Sequence, residues 1–198
     1  MRSRALSCAL LSAALAMPAG AQERVKIDAT TPESEIVLMD PRRVDASALP
    51  LTTVESLHAT GTPLSVDLSA WRLTLSGKGV STPLSLTYEE LSSFPMVCKP
   101  VLMICPMLFY DFLEWEGVPL QALLDKAGAG DYTRVVFASV DGYRNNFTKK
   151  DIRAGLVMVA LRGNGVPLPK EHGFPARVVA EDIYGTRWVK YLTSITLE

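Results

Sequence analysis

Hydrophobic and polar positions fall into readable patterns from about residue 66 onward. Trp71-Arg72-Leu73-Thr74-Leu75 alternates apolar with polar side chains, the period of a half-buried strand. Thr87-Tyr88-Glu89-Glu90 has the Thr-x-x-Glu spacing of a capping box and predicts a short helix that ends near Phe94-Pro95. Val101-Leu102-Met103-Ile104-Cys105 is an unbroken apolar run, suited to a strand covered on both faces. Pro119 opens a second helix, with Leu120, Leu123, Leu124 and Ala127 on one face and Gly128 as its stop. Strands are predicted over residues 134–138, 157–161 and 177–180, a turn at Asp141-Gly142, a short helix over 148–154, and an alternating segment over 188–197. Short helices scattered among many strands specify an α+β fold with mixed β-sheets rather than a regular doubly wound array.

Ahead of this region, residues 22–62 are polar and broken by Thr30-Thr31-Pro32 and Asp40-Pro41-Arg42-Arg43. Only Glu35-Ile36-Val37-Leu38-Met39 reads as a strand. The segment is predicted to be an extended N-terminal arm that wraps the domain or stays mobile, with residues 63–198 forming the domain itself. Residues 1–21 have the make-up of a signal peptide: Arg2 and Arg4, an apolar run to Met17, and Ala19-Gly20-Ala21 before the cleavage point. The run is too short to span a membrane, so the mature chain is expected outside the cytoplasm with no membrane span. Arg2 and Arg4 are not a twin-arginine pair, which predicts export as an unfolded chain by the general route.

Composition narrows the function classes. The 198 residues include 20 Lys and Arg against 21 Asp and Glu, a balance that gives no footprint for nucleic-acid binding. With 48% hydrophobic residues, the chain has enough apolar material for one well-buried core.

Candidate chemistry begins with Cys98 and Cys105. In an oxidising compartment they can close a small disulfide loop. Their odd separation puts them on opposite faces of one continuous strand, and Pro100 between them is a point where that strand can break. Alternatively, Cys105 is a thiolate ligand for a soft metal centre. His58 and His172 have no zinc-type spacing, and neither a nucleophile elbow nor a phosphate loop is present. Near the C-terminal end, His172, Arg177, Arg187 and Lys190 can converge on one anion, since Arg presents a planar fork and Lys a point charge.

Several blocks occur in order: Trp71-Arg72-Leu73, Trp115-Glu116-Gly117-Val118-Pro119-Leu120, Asp141-Gly142-Tyr143, Pro167-Leu168-Pro169 with His172-Gly173, Pro175 and Arg177, and Tyr184-Gly185 with Arg187, Val189 and Lys190. Through them the chain resembles the catalytic domain of the sulfite oxidase family of molybdopterin oxidoreductases. The resemblance implies a sulfite-oxidase-like molybdopterin-binding fold and a molybdenum–molybdopterin cofactor, with Cys105 as the metal ligand. It implies that His172, Arg177 and Lys190 hold the pterin and its phosphate, with Arg187 beside them, and that Tyr143 lines the substrate pocket as a catalytic residue. The implied activity is oxygen-atom transfer on a small-molecule substrate in the periplasm. Electrons would pass to or from a separate electron-transfer protein, as no Cys-x-x-Cys-His haem site is present.

The chain departs from the family pattern at the bulky run Pro106-Met107-Leu108-Phe109-Tyr110-Asp111-Phe112 after Cys105, and in an arm that holds only Arg42, Arg43 and His58. These departures leave open a cofactor-free relative that serves as a periplasmic binding or accessory module. A metal-free redox pair of Cys98 and Cys105 is a third reading.

Overall fold

The computed structural model describes residues 23–198; the expected signal peptide lies outside the described residues. In chain order the elements are β1 (Val25–Asp28), α1 (Glu33–Ile36), β2 (Val44–Ala48), β3 (Leu73–Gly77), β4 (Leu84–Leu86), α2 (Tyr88–Ser92), β5 (Val97–Cys105) and β6 (Phe109–Pro119). Then come α3 (Leu120–Lys126), β7 (Arg134–Ser139), β8 (Arg144–Thr148), α4 (Lys149–Ala154), β9 (Val157–Gly163), β10 (Val166–Pro167), β11 (Arg177–Ala180) and β12 (Leu192–Leu197). The fold is α+β with mixed sheets and short helices. Among the described residues no helix is long and apolar enough to cross a membrane.

Two five-stranded sheets carry the domain. In the first, the order β10-β9-β6-β5 is antiparallel throughout, and β11 also pairs with β9. In the second, the order is β4-β3-β12-β7-β8, with β3 and β12 parallel and the other pairs antiparallel. The main core joins both sheets, running from Trp71 and Leu73 through Trp115 and Val118 to Phe137 and Ile195. Local chemistry places the helices. The capping box of α2 forms as its spacing predicts, with the Thr87 hydroxyl accepting from the Glu90 N–H and the Glu90 carboxylate accepting from the Thr87 N–H. Thr148 and Asp151 make the same reciprocal pair at α4. Leu120, Leu123 and Leu124 bury one face of α3, and Gly128, at φ +58°, ends its turn in a left-handed conformation.

The stretch before residue 62 packs against β5 and β6. β1 and β2 pair in parallel, and Ile27, Ile36, Val44 and Leu49 form a second core with Leu102, Ile104 and Phe112. Thus β5 is buried on both faces: Val101, Met103 and Cys105 enter the main core, while Leu102 and Ile104 meet the arm. The strand expected over Glu35–Met39 is instead the single helical turn α1. Pro32 sets its start, Glu33 and Glu35 stand at its positive end, and Ile36 alone anchors it. Leu38 is left exposed.

Pro100 does not break β5, which runs unbroken for nine residues. β5 is the edge strand of its sheet, where a missing N–H can face away from the ladder. Seven residues of extended chain separate Cys98 from Cys105 by about 23 Å, against the roughly 7 Å limit for a disulfide. No bond joins them. The disulfide and the reversible cysteine couple are both corrected by this one strand.

Candidate functional site

Cys105 is the last residue of β5, buried at 7% exposure. The chain turns over it through Pro106 and Met107, the latter at φ +62°, and re-enters as β6. Against its thiol lies the 3₁₀ turn Gly185–Arg187. A Cβ on Gly185 would stand 3.0 Å from Cys105 Sγ and 2.5 Å from Met103 Cγ, so only glycine lets this backbone approach the sulfur so closely.

Arg177 opens β11 and is wholly enclosed. Its guanidinium lies 5.0 Å from the Trp115 ring and 5.7 Å from the Trp188 ring, against two indoles that meet each other edge to face. One terminal nitrogen donates to the His172 carbonyl at 3.1 Å and the other to Met103 Sδ at 3.5 Å; Nε is buried without a partner. Burial pulls its pKa down to about 10, while Cys105 and Asp111 act in the opposite sense. A buried cation with an unsatisfied donor is costly unless an anion meets it.

His172 and Lys190 share this surrounding. Burial first, then Arg177 and Lys190, push the His172 ring down to about 4, so it is neutral at physiological pH. Burial and Arg177 also lower Lys190, whose Nζ donates to the Thr60 carbonyl at 2.5 Å and the Glu171 carbonyl at 3.1 Å. For Cys105, burial raises the thiol pKa, Arg177 and Lys190 lower it, and Asp111 adds to the rise. These four predicted residues therefore form one group around the end of β5.

Arg187 and Tyr143 belong to a neighbouring network. Arg187 does not converge on the anion position expected of it. It donates to the Asn146 carbonyl and, at 3.5 Å, to Asn145 Oδ1, pairs with Asp151 at 3.6 Å and covers the Phe147 ring. β8 and α4 claim its planar fork. Tyr143 is half-exposed, and its hydroxyl donates to the Thr186 carbonyl at 2.6 Å. Both side chains thus fasten the turn that lies on Cys105.

Two residues at the site were not picked out by sequence reasoning. Asp111 has no exposed surface, and His58 meets it with ring Nδ1 at 3.0 Å and backbone N–H at 3.3 Å. Burial raises the Asp111 pKa, and the His58 hydrogen bonds and charge oppose that rise. The only available clue was one acidic residue inside an otherwise apolar run. Two cavities, of about 510 and 550 Å³, lie elsewhere: one around Leu49, Leu102 and Phe112 under the arm, the other around Tyr88, Glu116 and Arg162.

The geometry suits a cofactor that is anionic and carries most of its own metal ligands. Cys105 offers one soft sulfur, so a metal bound there has to bring the remainder of its coordination sphere with it. The unpartnered Nε of Arg177 and the neighbouring Lys190 complement negative charge.

Residues 59–198 match the family model described as oxidoreductase molybdopterin binding domain. The chain is 29% identical over 147 residues to oxidoreductase YuiH of Bacillus subtilis (strain 168), covering 73% of each protein. It is 28% identical over 164 residues to mitochondrial sulfite oxidase of Macaca fascicularis, covering 67% of this chain but only 30% of that one. The sulfane dehydrogenase SoxCD of Paracoccus pantotrophus has the same fold, with a TM-score of 0.69 at 23% identity over 88% of this chain and 50% of that chain. The chain thus spans half or less of the sulfite oxidase and SoxCD chains.

Proposed function

Because the chain belongs to the oxidoreductase molybdopterin-binding domain family, we propose that it is an exported oxidoreductase that carries a molybdenum–molybdopterin cofactor and transfers an oxygen atom to or from a small substrate. The observation that carries this reading is Arg177, buried against Trp115 and Trp188 with an unpartnered Nε and with its charge acting on the Cys105 thiol. When bound, the cofactor supplies the two-electron redox step of oxygen-atom transfer.

The chain's own residues supply position and charge. Cys105 ligates the metal as a thiolate, an ionisation that Arg177 and Lys190 favour and burial opposes. Arg177 and Lys190 hold the negative groups of the pterin, and the neutral His172 ring serves as a hydrogen-bonding partner rather than a third cation. Tyr143 and Arg187 fix the Gly185–Arg187 turn, and with it the wall beside the sulfur. Exposed Met107, Leu108 and Tyr143 give this region an apolar rim, which favours a neutral substrate over a small oxyanion. Electrons would pass to a separate carrier protein, and the signal-peptide pattern of residues 1–21 supports a periplasmic reaction.

The test is elemental analysis for molybdenum, with pterin fluorescence, on the protein purified from its native host's periplasm. Near-stoichiometric metal is expected. Cys105→Ser should abolish molybdenum-dependent activity while leaving the unfolding transition in place, and Lys190→Met should loosen the cofactor. Folded native protein with neither metal nor pterin would refute this reading. It would favour a cofactor-free binding module that uses the exposed apolar tip at Met107 and Leu108.

A further inference from the structure

The functional reading above leaves one buried ionisable residue without a task. Asp111 lies on the core-facing side of β6 with no exposed surface, and His58 is its hydrogen-bonding partner. Phe109 holds the imidazole in a stack, with ring centres 4.6 Å apart and planes at 16°. The His58 side chain is 46% exposed, so with Nδ1 turned to Asp111 the rest of the ring meets water. At the inner end, Asp111 pairs across the strands with Met103, and Phe109 with Cys105. Asp111 is therefore the diagonal neighbour of Cys105 on one face, at about 7–8 Å between backbones. Solvent, His58, Asp111 and the Cys105 face stand in sequence.

We propose that His58 and Asp111 form a proton relay between solvent and the Cys105 site. The inference rests on the oxygen-atom transfer proposed above. That reaction moves protons: XO + 2 e⁻ + 2 H⁺ gives X + H₂O, with electrons from the separate carrier protein, and the reverse direction releases the same two protons. A wholly enclosed carboxyl cannot exchange protons with water by itself. An imidazole can, taking up a proton at one nitrogen and giving one from the other. The charged and titratable groups facing the pair are Arg177 from β11 and Cys105 from β5. Lys190 reaches the Thr60 carbonyl, two residues beyond His58. Arg177 stabilises the carboxylate after it has given up its proton.

The experiment is voltammetry of the molybdenum-loaded protein adsorbed on an electrode, with no substrate present. It compares wild type with His58→Ala, His58→Gln and Asp111→Asn. The relay predicts that His58→Ala slows the proton-coupled interconversion roughly 10- to 100-fold at an unchanged midpoint potential. Added imidazole should restore the rate, since the half-exposed ring leaves a gap open to solvent. His58→Gln keeps a donor to Asp111 but no shuttle, so it should be equally slow. Unslowed variants overturn the relay, as does slowing that imidazole leaves unrepaired, which would mean packing alone. If Asp111→Asn fails to fold, the two His58 variants decide. Native protein without molybdenum overturns the parent reading and the relay together, whereas loaded, redox-active protein with unslowed variants overturns the relay alone.

Discussion

A single histidine makes the site's electrostatics measurable. The folded-state pKa of His172, about 4, lies below its ordinary value of 6.5, so the native protein binds fewer protons there than the unfolded chain. Stability from this ring is intact above pH 6.5 and is lost as pH falls toward 4, because only the unfolded state gains the proton. The loss should be about 1–2 kcal/mol once residual solvent screening is counted. Thermal melts of wild type and His172→Gln across that window should converge as pH falls. Gly185→Ala is expected to displace Met103 or the Cys105 thiol, since the new methyl would overlap both, and should cost about 1–3 kcal/mol in the same melts. His172, Arg177 and Lys190 were legible in the sequence because they crowd into its last thirty residues. Asp111 and His58 were not: they lie 53 positions apart, and only the folded arm brings them together.

Elements were legible where a local rule defines them and obscure where a distant segment does. The cap of α2, the helix α4 and the strand β11 follow from residues close to one another in sequence. Thr148→Ala removes one reciprocal cap and should lower stability by about 1 kcal/mol. By contrast, β6 gives no clean alternation, because Phe109, Leu113 and Trp115 face the main core while Phe112 packs under the arm. Pro100 likewise reads as a break until β5 is seen to be an edge strand. The arm depends on its few anchors. Ile36→Ala should cost about 2–5 kcal/mol and make residues 23–62 the first cut by protease while the two large sheets persist. Simultaneous loss of arm and sheets would show that the two cores melt as one.

At the scale of the whole molecule, an α+β fold of many strands and short helices is legible in the order of elements, but the connections of its sheets are not. β12 is the last element in sequence and the middle one in space, parallel to β3 and antiparallel to β7. Its pairing with β3 joins residues some 120 positions apart, as in Ser194 opposite Thr74. Remove it, and β4–β3 and β7–β8 are two hairpins with an unshared core. A chain ending at residue 191 should therefore show no cooperative unfolding transition, and a sharp one would mean the remaining strands close on each other. The same arrangement sets a clock. A ribosome makes more than a hundred residues between β3 and the strand that joins it to β7, so the second sheet cannot close until β12 has emerged. Until then the facing edges of β3 and β7 stand unpaired, the kind of surface that chaperones cover while a chain waits for its distant partner.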